Sequence, residues 1–235
     1  MVRHSFSLDG VNCEVYGIVC SGHNTYNAPE RDIESIDIPG RNGALTIDNG
    51  RWKNIKVIYP ASIVRGFQQA AQSARAWLCA ASGYRRLEDD YNPDTYRMAR
   101  FVAGLNFEMT PANDCGEVDI TFDCMPQRWL KSGETAVSVA SGEFVNNPTL
   151  FDALPIITVT GSGEGVLVIN GQTVDIDEID GSITLDCEAQ RAYSGAEARD
   201  GDVTGAYPVL KPGANSVQYS GGITAVEIVP RWWTL

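Results

Sequence analysis

The chain has 235 residues, 43% hydrophobic and 20% charged, with a formal net charge of −12. That is enough apolar material for one large or two modest packed domains, and it excludes a disordered chain. The acidic balance excludes a general nucleic-acid binder, which needs basic patches against phosphates.

The stretch MVRHSFSLDG has no apolar signal region, and no apolar run approaches the length of a membrane span. A soluble protein made in a cytoplasm, without membrane insertion, is therefore expected. Residues 1–59 read as strands. Phe6–Leu8 and Val15–Val19 are the first candidates, and in residues 33–38 Ile33, Ser35 and Asp37 alternate with Glu34, Ile36 and Ile38. Pro39–Gly43 is a turn cluster and Ala44–Ile47 a short extended piece. Asp48-Asn49-Gly50 reads as a hairpin tip, with Arg51–Tyr59 as its return strand.

From Ala61 the period changes. Ile63, Phe67, Ala70, Ala74, Trp77, Leu78 and Ala81 share one helical stripe, and Arg65, Gln68, Gln69, Gln72 and Arg75 take the other face. Pro60 before and Gly83 after punctuate a helix over 61–81 that covers one face of a sheet. Tyr84–Asp89 and Thr95–Ala103 are strands around an Asn92-Pro93-Asp94 turn. Leu105–Met109 and Gly116–Cys124 complete this module, and Met125–Trp129 closes it.

Residues 131–235 carry 5 basic and 14 acidic side chains, against 13 and 16 in residues 1–130. This step marks a domain boundary. The expected organisation is a first domain at 1–130, a linker at 131–139 and a second domain at 140–235. Beyond the linker the pattern is all-β: Ile156–Thr160, Val166–Asn170, Thr173–Ile176, Ser182–Cys187 and Thr224–Val229 are short and β-branched. Asn170-Gly171 is a two-residue hairpin signal, and the strand spacing predicts a sandwich. The fold class is thus mainly β, with one long helix in a sandwich-like first domain and a β-sandwich second domain.

No motif carries catalysis. Gly161-Ser-Gly-Glu-Gly lacks the Gly-Lys-Ser/Thr ending of a phosphate loop and precedes a strand, so it reads as a hairpin turn. Asp175, Asp177, Glu178 and Asp180 fail calcium-loop spacing, because Ile179 and Asp180 stand where an oxygen ligand and glycine are needed; a solvated acidic turn is expected. The six cysteines are scattered without a paired motif, and both histidines, His4 and His23, lie near the start. That arrangement argues against a zinc site and a histidine-based triad, and it predicts reduced, mostly buried thiols, or disulfides if the protein matures outside a cell. No cofactor, metal or enzymatic activity is expected. Trp232 and Trp233, adjacent on a strand, point to opposite faces. One belongs to the core, and the other is a weak candidate for stacking on a sugar.

Several segments resemble, in order, the distal tail protein (Dit) family of long, non-contractile phage tails. In the first half they are Pro39-Gly-Arg-Asn-Gly43, Arg51-Trp-Lys-Asn54, Trp77-Leu78 and Gly83-Tyr-Arg-Arg-Leu87. In the second half, Asn147-Pro148, Gly161-Ser-Gly163, Ile169-Asn-Gly171, Leu185-Asp-Cys-Glu188, Leu210-Lys-Pro-Gly-Ala-Asn215 and Pro230-Arg-Trp-Trp233 resemble the family's galectin-like domain. The resemblance implies a structural virion protein at the tail tip, assembled in the host cytoplasm. It implies a homo-hexameric ring, with DNA only passing through its channel, that joins the tail tube to tail-tip or receptor-binding proteins. True galectins use a histidine-containing strand, and the second half has no histidine. The alternatives are a carbohydrate-binding host-adhesion module and a tail-tube subunit. For ring closure, Arg41, Arg51 and Lys53 of the hairpin are expected to meet Glu88, Asp89 and Asp90 of a neighbour, with apolar contact around Trp52 and Ile55.

Overall fold

The computed structural model describes residues 4–22, 28–110 and 114–235. His23 lies outside the described residues. The chain divides into two compact units, Met1–Arg128 with Leu235, and Trp129–Thr234. It is mainly β, and among the described residues one α-helix is present, α1 at Phe67–Cys79.

The first unit builds β1 (Phe6–Leu8), β2 (Val11–Asn12), β3 (Ile18–Cys20), β4 (Arg31–Ile36), β5 (Leu45–Trp52) and β6 (Ile55–Ile63) ahead of α1. After the helix come β7 (Arg85–Asp89), β8 (Thr95–Phe101), β9 (Glu108–Thr110) and β10 (Cys115–Leu130). The main sheet has the order β2-β1-β7-β8-β10-β6-β3, with β9 added on β10, while β4 and β5 form a separate two-stranded sheet. At its centre β6 and β10 run antiparallel from Ile55↔Cys124 to Ile63↔Gly116. Ile55, Val57, Tyr59, Ala61 and Ile63 are buried, as are Val118, Ile120, Phe122 and Cys124. This period-2 alternation persists through Ile63, so the helix does not begin at Ala61. Pro60 sits inside β6. Its carbonyl accepts from the Ser21 amide at 2.9 Å. Its ring nitrogen faces the same side, beyond the end of β3, where no donor is needed.

The helix starts at Phe67 with a cap supplied from far along the chain. Asp114 accepts from the amides of Gly66 (3.0 Å) and Phe67 (3.2 Å), satisfying donors that the local sequence leaves open. Phe67, Ala71, Ala74, Trp77 and Leu78 are buried, and Gln68, Gln69, Gln72 and Arg75 are exposed. The stripe therefore gains Ala71 and loses Ile63 and Ala81. Gly116 lets this helix lie on the sheet, since a Cβ there would meet the Phe67 ring at 2.2 Å. Trp77 stacks on Tyr16 (4.6 Å between centroids) and Phe6 (5.9 Å). Phe6 in turn packs on Tyr59 and Phe122 of the sheet.

The second unit contains β11 (Val137–Val139), β12 (Phe144–Asn147), β13 (Ile156–Ile169), β14 (Gln172–Asp186), β15 (Arg191–Ser194), β16 (Glu197–Ala198), β17 (Val203–Gly205), β18 (Gly213–Val229) and β19 (Trp233–Thr234). Three long strands, β13, β14 and β18, organise it, and each serves two layers. Along β18, β12 pairs near Gly213–Ser216 and β11 near Val226–Ile228. Along β14, β17 pairs near Val174–Ile176 and β15 near Thr184–Asp186. The change of layer falls where the register breaks, between Gly161 and Gly165. Gly161–Gly165 is thus a bend within one strand and not the expected hairpin turn. The acidic stretch is likewise inside β14, with Ile176 and Ile179 buried and Asp175, Asp177, Glu178 and Asp180 exposed. Asn170-Gly171 does form the β13–β14 hairpin, with φ of 52° and 80° that suit a type I′ turn.

The segment 131–139, read as a linker, is built into this unit. Lys131–Glu134 is a 3-10 turn whose Gly133 carbonyl accepts from Arg231, and β11 pairs with β18. Two buried amides staple the loops. Asn147 donates to the carbonyls of Phe151 and Leu210 and accepts from Thr149. Asn215 donates to those of Val145, Lys211 and Gly213 and accepts from Asn170.

Each unit has its own hydrophobic cluster. Residues 1–128 and 129–235, expressed separately, should therefore each show a cooperative thermal transition. A second fragment that melts without one would show that its core needs the first unit.

Candidate functional site

The β4–β5 hairpin is the most unusual surface of the first unit. Its register pairs Arg31↔Trp52, Ile33↔Asp48, Glu34↔Ile47, Ser35↔Thr46 and Ile36↔Leu45. The turn is the Pro39–Gly43 cluster, at the far end from Trp52. Asp48-Asn49-Gly50 is not a hairpin tip. It is an irregularity inside β5, where Asp48 accepts from the Gly50 amide at 2.8 Å and the register shifts opposite Arg31–Ile33. Consequently Arg51–Tyr59 is not one return strand: Arg51 and Trp52 end β5, and β6 begins at Ile55.

Directly opposed residues of an antiparallel pair share a face. One face of the hairpin thus carries Ile36, Leu45 and Ile47, each between 43% and 45% exposed, with Ile38 following in the turn. Two-stranded sheets are marginal alone, and polar contacts stiffen this one. Arg51 pairs with Asp32 at 2.7 Å and holds that carboxyl below its usual range. The Arg31 guanidinium lies 4.2 Å over the Trp52 ring.

The residues expected at ring closure divide as follows. Arg41 is in the exposed turn, Arg51 and Trp52 close the hairpin's base, and exposed Lys53 follows them. Ile55 is only 6% exposed and belongs to the core, so it offers no surface for contact. Its inward position follows from the alternation of β6. Glu88 pairs with Arg86. Asp89 accepts from the Tyr59 hydroxyl at 2.6 Å and from Asn92. Burial and this facing carboxylate push the Tyr59 phenol well above its ordinary range, so it remains a donor. Asp90 meets the His4 ring at 3.1 Å and the Ser5 amide at 3.0 Å. The sequence reading missed Ile36, Ile38, Leu45 and Ile47. The available signal was their spacing on either side of the turn cluster.

In the second unit, Trp232 is buried at 5% exposure. Trp233 is half-buried, with one face stacked on Phe151 at 4.4 Å and its indole N–H donating to the Asp152 carbonyl. Among the described residues no group of three or more metal-ligating side chains gathers, and no helix is long and apolar enough to cross a membrane.

The architecture is that of a two-unit, mainly β chain with one helix and an exposed hairpin. No protein-family model and no curated protein sequence matches the chain. Solved structures do. The crystal structure of the Dit protein of phage SPP1, described as a paradigm of the hub adsorption apparatus in phages infecting Gram-positive hosts, superposes with a TM-score of 0.77. The two chains are 12% identical, and the match covers 99% of each. A chain of the phage p2 baseplate, in its activated conformation with Sr, matches with a TM-score of 0.50 and 8% identity over 96% of each chain.

Proposed function

We propose that this chain is a structural component of a phage tail, a distal hub that forms a six-membered ring joining the tail tube to the tip or baseplate. The observation that carries this reading is the shared fold with a tail hub protein over 99% of both chains. The exposed hairpin supports it. A cyclic ring uses heterologous contacts, in which two different surfaces of a subunit meet, and an apolar arm is suited to reach a neighbour. Exposed ion pairs contribute about 0–1 kcal/mol each, whereas burying a large aliphatic side chain contributes about 1.5–3 kcal/mol. Ile36, Leu45 and Ile47 therefore supply most of the contact energy. Arg41 and Lys53 set its register against an acidic surface that includes Asp90. The net charge of −12 is compatible with a DNA channel, since negative walls repel phosphate and let DNA pass without sticking. The tube, tip or receptor-binding proteins are the partners, and the chemistry is assembly and not catalysis.

Light scattering on the intact protein at high concentration should report a hexamer. Arg31 and Trp52 are opposed, so residues 32–51 can be replaced by Asn-Gly with the strand ends still joined. That variant should remain folded and lose the oligomer. The double substitution Ile36→Asp and Ile47→Asp should leave monomer stability within about 0.5 kcal/mol per site. It should weaken association by about 100-fold or more, equivalent to ~2.7 kcal/mol. A strictly monomeric intact protein would count against the ring. An unchanged hexamer in both variants would remove the hairpin from its interface.

A further inference from the structure

We propose that the first unit binds a single halide-sized anion in the cleft between Arg97 and Arg128. Arg97 lies on β8 and is only 7% exposed. Its Nη1 donates to the carbonyls of Met125 (3.4 Å) and Pro126 (3.0 Å). Arg128, half-buried on β10, donates to the Asn92 side-chain oxygen at 3.0 Å. Among the described residues neither guanidinium has a carboxylate within ion-pairing distance. Arg97 thus uses one of its three nitrogens on neutral acceptors and keeps further N–H donors for another partner.

Both side chains line one cavity of about 20 Å³, together with Tyr59, Asp89, Asn92, Thr95 and Tyr96 over an apolar floor of Ile55, Val57 and Leu87. Such a volume holds one water-sized species. A monatomic anion matches that volume, whereas a tetrahedral oxyanion such as phosphate or sulfate exceeds it.

Charge decides between that anion and a water molecule. The cavity wall carries two guanidinium groups and one carboxylate, Asp89, giving a net charge of +1. Asp89 is turned toward other donors, accepting from Tyr59 and Asn92. Burying an uncompensated cation is costly, and two like charges beside each other raise that cost. Burial first, and the nearby Arg128 second, pull the Arg97 guanidinium below its usual range. An anion between the two groups accepts from their N–H donors and also offsets their like charge, whereas a water does only the first. The site stands independently of the tail-hub reading.

The test uses the intact protein. Crystals grown or soaked in sodium bromide, with data collected at the bromine edge, should show an anomalous peak between Arg97 and Arg128. In solution, chloride at roughly ten times its dissociation constant should raise the melting temperature of the first unit by about 4–6 °C relative to gluconate at equal ionic strength. Gluconate is too large for the cavity. Arg97→Gln risks the fold, so Arg128→Gln at the half-exposed position is the decisive variant. It should fold and lose the difference between chloride and gluconate. Density for water without an anomalous signal would overturn the proposal. So would a chloride effect that is absent from the intact protein, or one that survives in Arg128→Gln.

Discussion

Gly222→Ala should unfold the second unit or cost it more than about 4 kcal/mol, the range reserved for hard backbone conflicts. Gly222 lies on β18 where that strand crosses the bend in β13. A Cβ at this position would stand 1.8 Å from the Ser162 carbonyl oxygen and 3.0 Å from that of Glu164. Both obstacles are backbone, so no side chain can rotate away. Relief requires β13 and β18 to separate, at the point where these two strands pass from one layer to the other. A Cβ on Gly161 would likewise stand 2.1 Å from the Gly222 carbonyl oxygen, so the crossing is closed on both strands. Gly201 provides the control. It sits in a 3-10 turn of the same unit, with nothing within 4 Å of a Cβ and no positive φ. Gly201→Ala should change stability by less than about 1 kcal/mol in either direction. Urea titration of the three proteins measures the difference, and equal midpoints for the two variants would mean that the strands part easily.

Why the sequence misleads at this crossing is instructive. Gly161-Ser-Gly-Glu-Gly165 has the composition of a turn, and a turn is the ordinary reason for clustered glycine. Close approach of two backbones is the other reason, and it depends on a strand some sixty residues away that no local pattern reveals. The same limitation applies at Asp48-Asn49-Gly50. A strong hairpin dipeptide became an irregularity within β5, because the partner of β5 is β4 and not β6. In contrast, Asn170-Gly171 was legible, since long alternating strands flank it on both sides and the turn needs no distant partner. The motifs Asn147-Pro148 and Leu210-Lys-Pro-Gly-Ala-Asn215 also have a physical basis. Their asparagines are the buried amides that satisfy loop carbonyls, which no apolar residue could do.

The candidate surface was half legible. Charge drew attention to Arg41, Arg51 and Lys53, and the structure does place them on or beside the exposed hairpin. Trp52 and Ile55 were grouped by proximity in sequence, yet Lys53 and Asn54 separate a strand of the arm from a strand of the core. Period alone cannot show that Ile55 faces inward and Ile47 outward, because both lie on apolar-alternating strands. What distinguishes them is whether a sheet face is covered, and that is a property of the whole unit.

The helix allows the sharpest separation of faces. Trp77→Ala should destabilise the first unit by about 3–5 kcal/mol, the usual cost of removing a large buried aromatic. Trp77 is 8% exposed and sits between Tyr16 and Phe6, and Phe6 carries the contact on to Tyr59 and Phe122 of the sheet. Its loss therefore empties the seam that binds α1 to β6 and β10. Arg75 lies on the outer face of the same helix and is exposed, so Arg75→Ala should cost about 0.5 kcal/mol or less. A third variant distinguishes packing from polarity. Among the described residues the buried indole N–H of Trp77 has no hydrogen-bond partner. Trp77→Phe removes that unsatisfied donor while keeping an aromatic ring in the stack, so it should cost less than about 1.5 kcal/mol. Chemical denaturation of residues 1–128, with the arm excised to keep the fragment monomeric, orders the three variants. Equal losses for Trp77→Ala and Arg75→Ala would reverse the assignment of faces. A Trp77→Phe loss as large as that of Trp77→Ala would show that the indole's full width, and not an aromatic surface as such, fills the seam.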